Sequence, residues 1–254
     1  MVARLPVEKL SEYSNDIEGL LNSSYCTLRD MKSMLGKLQF ATSVVSSGRP
    51  FLRRMYDLTI NVKNLNCKIR LSVTIKEDLC IWKEFLRSYN GITIISPKTF
   101  VNSNELHLFS DSSKSGFGAV FGSRYLYGSY PPAWKNLDVQ VLELYPIFIL
   151  VNVFAKKFSN LRIDFHCDNS SVVSAINKQT SKNKDVMHLL RPMVLLMLEN
   201  NITFRSQHIP GNLNTLCDLL SRNQVTAELL EAYGMDKNPT TVPQHLLPHN
   251  FKLK

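Results

Sequence analysis

The sequence predicts an α/β fold: a mixed five-stranded sheet flanked by helices and preceded by a small helical region. Three observations lead there. Between Thr27 and Tyr89 apolar residues recur mainly at helical spacing. From Leu106 onward short alternating runs appear between longer helical ones. Their order is three strands, helix, strand, helices, strand, helix, which suits a sheet covered on its faces by helices. At 254 residues the chain has room for one large domain or two small ones.

Residues 1–26 are weakly patterned, with Leu10, Ile17, Leu20 and Leu21 suggesting a short helix. Thr27 and Asp30 are spaced as a capping start, and Leu28, Met31, Leu35, Leu38, Thr42 and Val45 then repeat helically until Gly48. A second helical run is expected from Pro50 to about Leu58, with proline in the first turn where its missing N–H is harmless. Ile69 to Val73 reads as a short strand, and Thr74 to Tyr89 as a helix closed by Asn90 and Gly91. Leu79, Trp82, Phe85, Leu86 and Tyr89 share one face of that helix, and this spacing marks them as core. Residues 92–104, with Pro97, Asn102, Ser103 and Asn104, form the expected domain boundary.

Beyond it, Leu106 to Asp111 alternates as a strand, and Ser115 to Phe121 supplies a turn and second strand. Tyr125 to Tyr130 is the third strand, Val139 to about Lys157 an apolar helix, and Leu161 to Asp168 the fourth strand. Helices follow over Asn169 to Lys178 and Asp185 to Asn200, the latter interrupted by Pro192. Ile202 to His208 is the fifth strand and Thr215 to about Asn223 the closing helix. Three domains are expected: residues 1–100, 101–228, and an irregular tail, 229–254, containing Pro239, Pro243 and Pro248.

Composition narrows the function. A hydrophobic fraction of 44% with 20% charged residues is that of a globular protein, and a net charge of +9 favours a polyanionic partner. Residues 1–100 hold 15 Lys/Arg against 9 Asp/Glu, and residues 101–254 hold 15 against 12. Cys26, Cys67, Cys80, Cys167 and Cys217 are odd in number and form no C-x-x-C pair, which argues against a disulfide framework or a zinc site. The start lacks the apolar run of a signal peptide, and the most apolar stretch, Leu144 to Ala155, is too short to span a bilayer. A soluble intracellular protein of the cytoplasm or nucleus is expected, with neither membrane nor small-molecule cofactor.

The chemistry concentrates in the second half. His208 closes an extended run, a Pro210–Gly211 turn follows, and a short helix carries Asp218. Asp111, Glu143 and Asp168 sit where a strand ends or a helix begins. Four carboxylates brought together without a basic partner repel, and a hard divalent cation resolves the repulsion. Each residue alone also fits a plainer role. Asp111 suits a turn, Glu143 an exposed helix position, Asp168 with Asn169 and Ser170 an N-cap, Asp218 a solvated helix, and His208 a core site.

The strand order, together with Ser110–Asp111, Gly116 and Gly118, Leu142–Glu143, Cys167–Asp168–Asn169, His208–Ile209–Pro210–Gly211 and Asp218 to Arg222, resembles the RNase H fold. In wording these motifs look most like the RNase H region of reverse transcriptases from DIRS/Ngaro-type retrotransposons. Leu35 to Ala41, Ser47 to Leu52, Asp78 to Leu86 and Asn90–Gly91 are similar to the segment after the polymerase palm in those elements. The resemblance runs from about Thr27 to Arg222.

It implies a metal-dependent ribonuclease that cuts the RNA strand of RNA–DNA hybrids. Asp111, Glu143, Asp168 and Asp218 match the family's metal-binding acids, which would hold two Mg²⁺ ions, with Mn²⁺ as the substitute. His208 matches the mobile-loop histidine, a proton carrier. Asn169, Ser170 and Asn214 are implied nucleic-acid contacts. Arg49, Arg53 and Arg54, by themselves a solvated basic face, become a clamp on a phosphate backbone. Residues 1–100 are then a thumb- or connection-like remnant.

Two features stand apart from the pattern. Pro146 lies one turn after Glu143 and is expected to kink or delay the helix that presents it. No adjacent Asp–Asp pair occurs, so the paired-aspartate motif of the palm is missing and no polymerase activity is expected; a separate palm-containing chain is a candidate partner. The alternative to the ribonuclease is a catalytically dead nucleic-acid-binding or structural remnant of the same polyprotein.

Overall fold

The computed structural model describes residues 2–89, 91–93, 100–211 and 214–251. The helix closure expected at Asn90, the connection around Pro97 and the turn residues Asn212 and Leu213 lie outside them. The chain divides into two compact units, Met1–Lys98 and Thr99–Lys254.

In the first unit the core is carried by helices α1 (Val7–Leu21), α2 (Leu28–Ala41), α3 (Arg53–Thr59) and α4 (Val73–Ser88). Two short antiparallel pairings complete it: β1 (Val2–Ala3) with β4 (Ile92–Thr93), and β2 (Tyr25–Thr27) with β3 (Lys68–Arg70). The N-terminus of α2 is a capping box. The Thr27 hydroxyl accepts from the Asp30 N–H at 3.1 Å, and the Asp30 carboxylate accepts from the Thr27 N–H at 3.0 Å.

Helix α2 stops at Ala41, short of the expected Gly48. Gly48 instead lies in a 3₁₀ turn, Ser46–Phe51, that also takes in Pro50. A Cβ on Gly48 would sit 2.3 Å from the Trp82 ring, so this glycine serves a close approach and not a helix cap. Leu79, Trp82, Phe85 and Leu86 are buried along α4, whereas Tyr89 is exposed.

The second unit contains β5 (Val101–Asn102), a helical turn α5 (Ser103–Leu106), β6 (Leu108–Ser112), β7 (Gly116–Phe121), β8 (Arg124–Ser129) and α6 (Val139–Phe154). After these come β9 (Arg162–Cys167), α7 (Ser170–Lys178), α8 (Lys184–Glu199), β10 (Thr203–His208), α9 (Thr215–Ser221) and α10 (Ala227–Ala232). Pro192 does not interrupt α8.

The sheet differs from expectation. Among the described residues of this unit the strands pair as two three-stranded sheets, an antiparallel β6–β7–β8 and a parallel β10–β9–β5, and not as one five-stranded sheet. The cause lies just before β6. Residues 103–106 turn helically and His107 takes φ 44°, so the extended run restarts only at Leu108. The preceding β5 occupies the pairing with Ile163 and Asp164 of β9. Strand β6 lies beside β9 without joining its ladder.

Strand alternation sorts the two faces of β6–β7–β8. Leu108, Phe117, Ala119 and Leu126 face the large core built around α6, while Val120 and Tyr125 pack with Cys217 and Leu220 of α9. Helix α6 is apolar on almost every side, and its neighbours bury it on nearly all of them. Past α10 the chain crosses back over β8, where Thr240 N–H donates to the Tyr125 carbonyl at 2.7 Å, and Leu246 is buried. Among the described residues no helix is long and apolar enough to cross a membrane.

Candidate metal centre

Three different elements deliver three carboxylates to one place. Asp111 is the fourth residue of β6 and pairs with Gly118, which puts it on the face covered by α9. There the Ser221 hydroxyl lies 3.0 Å from its Oδ2. Glu143 stands near the start of α6, the only charged residue in that helix. Asp168 directly follows β9, and the next residue, Asn169, caps α7 by accepting from the N–H groups of Ser171 and Val172 at 3.0 and 3.1 Å. A strand end and a capped helix thus fix the backbone on both sides of Asp168. One ligand oxygen from each of Asp111, Glu143 and Asp168 lies within 4.8 Å of the others, so the group could hold a metal ion.

The electrostatics fit a cation site. Burial pushes the Glu143 carboxyl up to about 9, with the charges of Asp168 and Asp111 adding to the effect. Burial also raises Asp111, to about 6; the Ser221 hydrogen bond and Arg222 pull it down, while Asp168 and Asp218 push it up. Among the described residues none of the three carboxylates forms an ion pair with Lys or Arg. Hard oxygen donors that repel one another in a partly dry site are the donor set a divalent cation prefers.

Asp218 is placed differently. Its charge is felt at Asp111, but it lies outside the group of three, and its Oδ1 accepts from Arg222 Nε at 2.8 Å. His208 ends β10 in register with Cys167, the residue before Asp168, and is exposed. Pro146 sits inside α6 without ending it, and Glu143 still reaches the other two acids.

The implied nucleic-acid contacts divide. Ser170 and Arg49 are exposed. Arg53 is paired with Asp57, and Arg54 reaches the fully buried Asp78 at 3.2 Å and the Thr74 carbonyl at 3.1 Å, so both guanidinium groups are engaged within the first unit. Asn214 is buried, and its amide donates to the Ser110 carbonyl at 2.7 Å, tying the start of α9 to β6 in place of the contact expected of it.

Further residues surround the site, some of them outside the sequence motifs. A cleft of about 500 Å³ beside Glu143 is lined by Ser112, Ser113, Lys114, Lys135 and Arg222, among others. The serine run after Asp111 was the one available sign of it; Lys135 carries no sequence signal. Gly211, read as half of a turn, lies so close to Asp168 that a Cβ there would meet Oδ2 at 3.0 Å.

No family model and no curated protein matches this sequence. Among solved structures it is similar to a foamy viral protease-reverse transcriptase dRH in complex with ds DNA, at 14% identity over 79% of this chain and 35% of that one, with a TM-score of 0.29. It is also similar to a foamy viral protease-reverse transcriptase in complex with RNA/DNA hybrid, at 14% identity over 92% of this chain and 30% of that one, with a TM-score of 0.28. The chain therefore spans about a third of the length of the structures it matches. At such TM-scores the likeness fixes neither the fold nor the site.

Proposed function

We propose that the second unit is an RNase H-type hydrolase that cuts the RNA strand of RNA–DNA hybrids, as part of a retroelement reverse transcriptase of the DIRS/Ngaro kind. The supporting observation is the meeting of Asp111, Glu143 and Asp168, 25 to 57 residues apart in sequence, within 4.8 Å. The lineage rests on the sequence motifs alone.

In this reading the three carboxylates hold Mg²⁺, with Mn²⁺ as the substitute. The chemistry supplied by the bound ion is Lewis-acid stabilisation of charge on the phosphate oxygens and acidification of water. The chain's own residues do the rest. Lys114, Lys135 and Arg222 draw backbone phosphates into the cleft beside Glu143, which Ser112 and Ser113 also line. Ser170, exposed in the first turn of α7, reaches a 2′-hydroxyl of the RNA strand. His208 stands in solvent at the end of β10 and carries a proton to or from the site. In the first unit Arg49 is free to meet a phosphate.

A hybrid-cleavage assay with Mg²⁺ tests this, run beside duplex DNA, single-stranded RNA and the Asp111→Asn variant. Cleavage of the hybrid alone, lost in the variant, is the expected result. One observation favours a second reading, a binder without catalysis: the Asp218 carboxylate is held by Arg222 and stands outside the group of three. Equal, near-zero cleavage by both proteins, with hybrid binding retained, would establish that reading instead. Co-purification of a palm-containing chain would place either activity within a larger polymerase.

A further inference from the structure

Helix α6 contains a proline that its sequence neighbours do not excuse. Pro146 has no N–H, so the carbonyl four residues earlier, that of Leu142, has no helical donor. A buried carbonyl left in that state is costly. The structure supplies a donor from elsewhere: the Tyr130 hydroxyl, just past β8, donates to the Leu142 carbonyl at 3.2 Å.

The same hydroxyl lies 3.0 Å from Ser112 Oγ. A phenol has one proton, and a carbonyl can only accept, so Tyr130 donates to Leu142 and receives from Ser112. Ser112 directly follows Asp111, and Leu142 directly precedes Glu143. Tyr130 itself is held in place by ring contacts with Phe117, Trp134 and Tyr145, at centroid distances of 5.6, 5.2 and 5.8 Å, and by its N–H bond to the Ser115 carbonyl at 2.8 Å.

We propose that Tyr130 is a positioning residue. Its hydroxyl replaces the backbone donor missing at Pro146 and, through Ser112, ties α6 to β6 so that Glu143 and Asp111 are held at the spacing a cation needs. Pro146 is then the reason the tie exists: it leaves the carbonyl next to Glu143 open to a bond from another element. This rests on the carboxylate-site reading above for its functional consequence, but not for the tie itself.

The test is a double-variant cycle on the full chain with Tyr130→Phe and Pro146→Ala. Two readouts are taken, Mn²⁺ affinity by calorimetry and the midpoint of chemical unfolding. Tyr130→Phe should weaken Mn²⁺ binding by about fivefold, the scale of one lost hydrogen bond. Adding Pro146→Ala, which restores an N–H for Leu142, should recover most of the lost stability but not the Mn²⁺ affinity, because α6 is still untied from β6. In unfolding, the gain from Pro146→Ala should be larger in the Tyr130→Phe background than in the wild type. Strictly additive effects on unfolding, or Mn²⁺ affinity within about twofold after Tyr130→Phe, overturn the proposal. If the wild-type chain takes up no Mn²⁺, the carboxylate reading fails, and coupling in unfolding alone still decides whether the tie is real.

Discussion

Ser221 Oγ lies 3.0 Å from Asp111 Oδ2, joining residues 110 apart in sequence and locking the last turn of α9 onto β6. Its hydroxyl stabilises the ionised form of a carboxylate that burial otherwise drives toward neutrality, up to about 6. Ser221→Ala removes that opposing influence, so Asp111 should hold its proton to higher pH. The acid limb of the hybrid-cleavage profile is expected to move to higher pH, and the Mg²⁺ concentration for half-maximal rate to rise by about threefold to tenfold. Profiles recorded with and without the substitution decide it: a uniform drop with an unmoved limb would give Ser221 a purely structural role.

Gly118 allows this contact to form. A Cβ there would meet Leu220 Cβ at 2.4 Å, the Cys217 carbonyl at 2.7 Å and the Ser221 N at 2.9 Å, most of them main-chain or inflexible atoms of α9. Gly118→Ala must therefore push α9 off the sheet, at a cost of about 1–3 kcal/mol in stability. Because Ser221 and Asp218 move with the helix, Mn²⁺ affinity should fall as well. Chemical denaturation and calorimetry measure both quantities; an unchanged midpoint would contradict the packing described here.

How much of this was legible beforehand depends on whether the cause is local. The capping box at Thr27 and Asp30, the alternation of β7 and the lone charge of Glu143 in an apolar helix all follow from short-range pattern, and each could be read from the sequence. Gly116 and Gly118 stand out in the sequence as turn residues and as part of the RNase H-like motif. That Gly118 is a floor for α9 depends on a partner about a hundred residues away, and Gly116 chiefly makes room for the Gly128 carbonyl of β8. The split of the sheet was hidden for the same reason. Alternation continues through His107, and only the positive φ there, with β5 already paired to β9, breaks the run. Pro146 could be seen as a defect, but its remedy, the Tyr130 hydroxyl, belongs to another element.

Arg222 is shared between two readings of the site. It holds Asp218 at 2.8 Å and also lines the cleft beside Glu143. Both partners are half-exposed, so the pair itself contributes little to stability, about 0–1 kcal/mol. Arg222→Ala should accordingly leave the unfolding midpoint almost unmoved. Its effect should appear in substrate handling: a KM for hybrid raised several-fold, with a shallower dependence on salt, as expected for the loss of one phosphate contact. A large fall in stability with no change in salt dependence would mean that the arginine holds α9 together and does not meet the substrate.

The two raised carboxyls set the pH behaviour of the metal-free protein. Asp111 rises from an ordinary 3.8 to about 6 and Glu143 from 4.5 to about 9. Above the ordinary values the unfolded chain has lost these protons while the folded chain keeps them, so folding binds protons. Stability is then fully present below about pH 4 and is lost as pH rises through about 6 and then about 9, at no more than about 1.4 kcal/mol per pH unit for each group. Divalent cations reverse the slope, because a ligand carboxyl must be ionised to bind them. At pH 7 Glu143 still carries its proton, so uptake of Mn²⁺ should release close to one proton, read as a dependence of binding heat on the ionisation enthalpy of the buffer. Stripping the metal with a chelator should lower the unfolding midpoint more at pH 8 than at pH 5. Binding heats that are the same in every buffer would mean that Glu143 does not join Asp111 and Asp168 as a ligand.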